Sequence, residues 1–92
     1  TICASTSLRQ NEARNLAQES DLMIVVGSRK SANTTHLAEI LTGITPTIHI
    51  ETAKELSQHE ALLDRAQNIG ITAGASTPQE IIDEVIFEFE KL

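Results

Sequence analysis

The chain has 92 residues and a net charge of −6, and its only large aromatic side chains are two phenylalanines. A chain of this length forms one domain, and its core must be built from Ile, Leu, Val and Ala. The negative charge argues against binding to nucleic-acid backbones, which needs clustered Lys and Arg. The sequence contains neither an apolar run of membrane-spanning length nor a secretory signal. We therefore expect a cytoplasmic protein with no nucleic-acid or membrane partner.

Helical and strand-like segments alternate along the chain. Four helices are predicted at 9–19, 32–41, 58–67 and 78–91, and three apolar strands at 22–26, 47–50 and 69–72. Ser7, Ser57 and Thr77 each stand three residues before Glu or Gln, the spacing of a capping box at a helix start. Such alternation predicts parallel strands with right-handed crossovers and helices on both faces. The expected fold is a three-layer α/β/α lobe with strand order 2-1-3.

The first predicted helix has no strand in front of it. We interpret residues 1–6 as a strand-to-helix loop whose strand is missing, and the chain starts at Thr1 rather than Met. A fragment of a longer protein is therefore expected. Cys3 would lie ahead of a helix N-terminus, a position that lowers a thiol pKa and suits a thiolate ligand or a nucleophile. The alternative is a small buried hydrophobic side chain, and a lone cysteine cannot hold an iron–sulfur cluster.

Two loops, 27–34 and 73–78, follow the first and third strands, between which the strand order reverses. Ligands of open parallel sheets bind at such a point. Both loops run into helix N-termini, where free backbone N–H groups and the helix dipole favour an anion. The candidate side-chain donors are Ser31, Asn33, Thr34, Ser76 and Thr77, with Arg29 and Lys30 as sources of positive charge. The alternative is that these residues only cap helices, and Thr77 is the expected cap of the last helix.

The three histidines, His36, His49 and His59, lack the spacing of metal ligands. His49 alternates with Ile48 and Ile50, so we expect a strand residue whose imidazole is hydrogen-bonded.

Three segments of the chain resemble motifs of the LytB family of 4-hydroxy-3-methylbut-2-enyl diphosphate reductases. The first ten residues, TICASTSLRQ, are similar to the family's Ile-Cys-x-Ala-Thr-x-x-Arg-Gln region. Residues 26–34, VGSRKSANT, with the following LAE at 37–39, resemble its Gly-x-x-Asn-Ser-Ser-Asn-Thr segment and Leu-Ala-Glu helix. Residues 71–78, ITAGASTP, match its Thr-Ala-Gly-Ala-Ser-x-Pro loop. The similarity runs in order along the whole chain.

The resemblance implies a function in isoprenoid biosynthesis by the methylerythritol phosphate route. The family reductively removes an allylic hydroxyl to give isopentenyl and dimethylallyl diphosphates, using a 4Fe-4S cluster held by three cysteines from three lobes. This chain would be the C-terminal third, working with the other two lobes and a ferredoxin- or flavodoxin-type electron donor. Cys3 would be a cluster ligand and Thr6 would lie near the cluster, whereas Ser31, Asn33 and Ser76 would bind the substrate diphosphate.

The chain departs from the family motif at Lys30, where Asn is usual, and at Ala32, where a second Ser is usual. Ala32 leaves its backbone as a possible contact, and Lys30 could contribute charge. The implied catalytic groups lie outside this chain, so we expect the fragment alone to be inactive and to lack the cluster. The alternatives are a non-catalytic flavodoxin-like module that binds a phosphorylated ligand at the same loops, and an interaction domain without a ligand.

Overall fold

Four parallel strands form the middle layer of the protein. The computed structural model describes residues 3–6, 10–74 and 77–90, with the backbone alone at 3–6, 10, 60, 89 and 90. The strands are β1 (Cys3–Thr6), β2 (Leu22–Val26), β3 (Thr47–Ile50) and β4 (Asn68–Ala73), in the spatial order β1-β4-β2-β3. The three predicted strands are confirmed, and their order β3-β2-β4 is the expected 2-1-3.

Strand β1 corrects the prediction of a loop at the start of the chain. Its backbone pairs in parallel with β4, with Cys3 opposite Asn68 and Thr6 opposite Ile71. The strand that should precede the first helix is therefore present, at the edge of the sheet. Cys3 is the first residue of this strand and lies seven residues before the first helix begins, not in a loop at its N-terminus.

Helices cover both faces of the sheet, as expected for buried parallel strands. They are α1 (Gln10–Glu19), α2 (Ala32–Thr42), α3 (Glu60–Arg65) and α4 (Gln79–Glu90), with a 3₁₀ helix at Ala53–His59 before α3. The predicted helix 58–67 is therefore confirmed at 60–65, whereas residues 58 and 59 belong to the 3₁₀ helix and residues 66 and 67 are not helical. None of the helices in the described ranges is both long and apolar enough to cross a membrane.

Two apolar clusters hold the three layers together. One face of the sheet packs against the 3₁₀ helix, α3 and α4, and its fully buried side chains include Ile24, Ile50, Leu63, Ile71 and Val85. The other face packs against α1 and α2 through Ala13, Ala17, Met23, Val25, Leu37 and Leu41. Strand β2 is buried along its whole length because both its faces are covered. This rigid sheet sets the positions of the loops at its carboxyl edge.

Thr72 in β4 contains a buried polar atom without a partner among the described residues. Its side chain is fully buried, and within the described residues its Oγ1 is the buried side-chain atom that has no hydrogen bond. Thr72→Val keeps the shape and removes the unsatisfied hydroxyl, so the free energy of unfolding should stay the same or rise by about 1 kcal/mol. Urea denaturation of the chain measures the change.

The matched control is Thr47→Val in β3, because the Thr47 hydroxyl donates to the Thr45 carbonyl at 2.9 Å. That variant should lose about 1 kcal/mol. A loss of the same size from Thr72→Val would show that the Thr72 hydroxyl has a partner in solution.

Candidate anion site

The loops after β2 and β4 lie side by side because these strands are neighbours. Val26 pairs with Ala73 at the carboxyl edge, so both chains leave the sheet at the same level. The Val26 carbonyl accepts from the Gly74 backbone N–H at 3.1 Å and from the Thr77 Oγ1 at 2.9 Å. The prediction that the two loops meet is therefore confirmed, and two hydrogen bonds tie them together.

The side chain of Thr34 fills the space between the two loops. It lies in the first turn of α2 and is fully buried. Gly27 has a φ of 153°, and a Cβ there would lie 2.8 Å from the Thr34 Cγ2. A Cβ on Gly74 would collide with the Thr34 Oγ1. Each glycine is therefore required by the close approach of Thr34.

Ser31 is the N-cap of α2. Its Oγ accepts from the Thr34 backbone N–H at 3.4 Å and lies within hydrogen-bond distance of the Thr34 Oγ1, at 3.2 Å. The residue as a whole is half-buried. The capping alternative is thus confirmed for Ser31.

Three further donors surround Ser31 at the start of α2. Within the described residues, the backbone N–H groups of Ala32 and Asn33 have no acceptor, as is usual in the first turn of a helix. The Asn33 side chain is exposed beside them. Together with the positive end of the 11-residue helix, these donors form a surface whose chemistry suits an anion.

Two of the predicted side-chain donors are not available, which corrects the sequence analysis. Thr34 is buried with its hydroxyl hydrogen-bonded to that of Ser31, and Thr77 donates its hydroxyl to the Val26 carbonyl. Ser76 lies outside the described residues. For Cys3 and Thr6 the description is limited to the backbone, which places both in β1. Their predicted roles are neither confirmed nor contradicted.

The predicted charge of Arg29 is also not available to an anion. Its guanidinium donates to Glu51 Oε1 at 3.0 Å, to Glu55 Oε1 at 2.5 Å and to the His49 carbonyl at 3.0 Å. Two carboxylates therefore neutralise it. Lys30, by contrast, is exposed, and its ammonium pairs with no carboxylate in the described part of the chain.

A small cleft of about 190 Å³ opens on the other side of the loops. It is lined by Gly27, Ser28, Glu51, Thr52, Thr77, Pro78 and Ile81. The Glu51 carboxylate in its wall is paired with Arg29, and the lining contains no Lys or Arg that could bind an anion. An anion is therefore expected on the α2 side, at Ser31 and Asn33.

Sequence reasoning missed the side chains that support the first loop from β3. His49 is a strand residue whose Nε2 lies 2.9 Å from the Gly27 carbonyl, so the prediction of a hydrogen-bonded imidazole is confirmed. The sequence did not show that this hydrogen bond supports the first loop. Glu55 Oε2 accepts from the backbone N–H of Glu51 at 2.5 Å and of Thr52 at 3.1 Å. Thr52 and Glu55 have capping-box spacing, so the sequence contained this signal.

The capping box predicted at Ser57 is wrong. The Ser57 hydroxyl donates to the Lys54 carbonyl, and His59 precedes α3 without a side-chain cap. The described side chains bring together no group of three His, Cys, Asp or Glu that could hold a metal ion.

Glu55 should make the stability of the protein depend on pH. Burial raises the pKa of its carboxyl, but the hydrogen bonds from Arg29, Glu51 and Thr52 outweigh burial and leave the pKa below its ordinary value of 4.5. A lowered folded-state pKa stabilises the protein above the unfolded value, and this stability is lost as the pH falls through the folded value. Glu55→Gln should therefore cost about 1 kcal/mol near neutral pH.

The difference between wild type and Glu55→Gln should shrink below about pH 4.5. Urea unfolding at a series of pH values measures it. Glu51→Gln is the control, because its more exposed carboxylate accepts from Arg29 but from no backbone N–H, so the loss should be smaller. A difference that stays constant down to strong acid would contradict the role of the Glu55 charge.

Comparison with known proteins supports the motif analysis. The family model described as LytB protein matches residues 1–90. Curated relatives named 4-hydroxy-3-methylbut-2-enyl diphosphate reductase include one from Syntrophotalea carbinolica, 53% identical over 94% of this chain, and one from Alkaliphilus oremlandii, 51% identical over 100%. The chain covers 30% and 33% of these proteins.

A solved structure has the same fold. Its title is "Structure of (E)-4-Hydroxy-3-methyl-but-2-enyl Diphosphate Reductase, the Terminal Enzyme of the Non-Mevalonate Pathway", and it matches with a TM-score of 0.84 and 39% identity. The match covers 91% of this chain and 30% of that one. The chain therefore spans about a third of the length of its relatives, and it belongs to the LytB family.

Proposed function

We propose that this chain is the C-terminal lobe of a 4-hydroxy-3-methylbut-2-enyl diphosphate reductase and that it holds the diphosphate of the substrate. The observation that carries the proposal is the start of α2, where the Ser31 hydroxyl and the free N–H groups of Ala32 and Asn33 lie together. Ser76, which the sequence places on the loop after β4, would complete the grip. Family membership and the reductase names of the relatives support this substrate.

The proposed grip consists mainly of neutral donors, with Lys30 as its one charged group. Hydrogen bonds to charged oxygens contribute about 1.5–3 kcal/mol each, and the positive end of α2 adds to them. Ala32 lacks the hydroxyl that its family usually carries at this position. The exposed ammonium of Lys30 offsets that loss with a positive charge next to Ser31.

Cys3 is proposed as one ligand of an iron–sulfur cluster. The chain contains a single cysteine, so its donor set fits one ligand position of a cluster and no more. The remaining thiolates must come from the rest of the parent protein. When bound, such a cluster would supply electrons and a Lewis-acidic iron for loss of the substrate hydroxyl.

The described residues fit binding and orientation rather than chemistry. Ser31, Asn33 and Ser76 would fix one end of the substrate, and so hold its other end in place for the rest of the enzyme. Thr6 lies three residues closer to the carboxyl edge than Cys3 along β1. The parent enzyme would act in the cytoplasm with a ferredoxin- or flavodoxin-type electron donor, and the isolated lobe would be inactive.

Titration of the ¹⁵N-labelled chain with inorganic pyrophosphate tests the grip. The amide signals of Ala32 and Asn33 should shift because their N–H groups face the ligand. Ser31→Gly removes the hydroxyl with little loss of helix capping, and it should weaken binding about tenfold or more, as expected for one bond to a charged group.

Ser57→Ala serves as the control, because the hydroxyl of this exposed serine donates to the Lys54 carbonyl and not to either loop. Its affinity should equal that of the wild type. Shifts spread evenly over the surface, or unchanged affinity of Ser31→Gly, would favour the interaction domain without a ligand.

The parent protein tests Cys3. Anaerobic reconstitution with iron and sulfide should give a brown protein with iron–sulfur absorbance, and Cys3→Ala should lose or alter that spectrum. Cys3→Ser offers a weaker oxygen ligand and should give an intermediate spectrum. A parent sequence without two further cysteines, or an unchanged spectrum in Cys3→Ala, would leave the flavodoxin-like phosphate-binding module as the better description.

A further inference from the structure

The buried hydroxyl of Thr34 and the half-buried hydroxyl of Ser31 share one hydrogen bond. Their oxygens lie 3.2 Å apart, and the Thr34 backbone N–H is 3.4 Å from the same Ser31 oxygen. Either hydroxyl has the chemistry to donate in this pair. Which of them donates decides where the Ser31 proton points.

The surroundings favour Thr34 as the donor. Its side chain is fully buried, and within the described ranges its hydroxyl has no other acceptor. If Ser31 donated, the Thr34 proton would be left buried with no acceptor among the described residues, which is costly. Ser31 does not have this constraint, since it is partly exposed and can donate to water or to a ligand.

We propose that Thr34 is a positioning residue that turns the Ser31 proton toward the bound anion. The Ser31 oxygen accepts two hydrogen bonds from Thr34, one from its N–H and one from its O–H. Both lone pairs of the Ser31 oxygen are then occupied. The Ser31 proton must therefore point in the one direction that is left. This inference rests on the proposed diphosphate site and adds to it a residue that does not touch the substrate.

The packing of Thr34 keeps this arrangement in place. Its methyl group is directed at Gly27 and its hydroxyl at Gly74, where added Cβ atoms would collide with it. The two glycines therefore leave the space that Thr34 fills in the rotamer that brings its hydroxyl to Ser31.

Two variants of Thr34 separate positioning from packing. Thr34→Val keeps the volume but loses the hydroxyl, so the Ser31 proton can take any of three staggered directions. The Kd for inorganic pyrophosphate should therefore rise about threefold or more. Thr34→Ser keeps the hydroxyl and loses the methyl, so affinity should stay within about twofold of wild type while stability falls. A purely structural role would instead weaken binding in proportion to the stability lost.

A double-mutant cycle tests whether Thr34 acts through Ser31. In the Ser31→Gly background, Thr34→Val should no longer change the pyrophosphate Kd, because the proton that it orients is absent. If the losses of the two single variants multiply in the double variant, Thr34 does not act through Ser31 and the inference is overturned.

Hydroxyl-proton exchange in the free chain tests the donor assignment without a ligand. The Thr34 hydroxyl proton should exchange slowly with water, and that of Ser31 quickly. The reverse pattern would overturn the inference even if pyrophosphate binds. A wild-type chain that does not bind pyrophosphate would overturn the proposed diphosphate grip, while the exchange pattern would still decide which hydroxyl donates.

Discussion

The close approach of Thr34 to two glycine backbones is the constraint on which the candidate site depends. Strands β2 and β4 are parallel neighbours, so the chain leaves both at the same edge and the following loops must pack together. That packing is possible because Gly27 and Gly74 have no Cβ where Thr34 lies. The hydroxyl of the buried Thr34 is then hydrogen-bonded to the hydroxyl of Ser31. The start of α2 and the position of its cap follow from this contact between loops that are distant in the sequence.

Electrostatics explains why the candidate anion site consists mainly of backbone N–H dipoles rather than of charged side chains. The chain carries a net charge of −6, and the arginine next to the first loop is held by Glu51 and Glu55. These ion pairs, with the His49 imidazole, fasten the loop to β3. The arginine therefore supports the loop rather than the anion. Backbone N–H groups at a helix start can hold an anion without the mobile, strongly hydrated head of a lysine, and their direction is fixed by the helix.

The parts of the fold that depend on local pattern could be predicted from the sequence, and those that depend on contacts across the sheet could not. Strand β2 is apolar throughout, and its range was predicted correctly. The start of α2 directly after Ser31 was also predicted correctly. Strand β1 has the sequence CAST, which lacks a strand pattern, and its conformation comes from pairing with β4. Thr34 was expected to face a ligand, and only the approach of Gly74, forty positions later, shows that it is buried. Ser57 and Thr52 each stand three residues before a glutamate, as in a capping box. The box that forms is the one with Glu55, because its carboxylate also accepts from Arg29 and from the Glu51 N–H.

The sheet also fixes the relation between the two proposed functions of the lobe. The anion donors follow β2, whereas Cys3 begins β1, and β4 lies between these strands. Cys3 is level with Asn68, so it lies about 16 Å from the carboxyl edge along the sheet. A hydrogen-bonded sheet covered on both faces changes such a separation little. A ligand held at Ser31 and a metal group held at Cys3 would therefore be set apart by strand register rather than by flexible loops. Under the proposed function, the register of the sheet would therefore set how far the bound end of the substrate lies from the proposed cluster ligand.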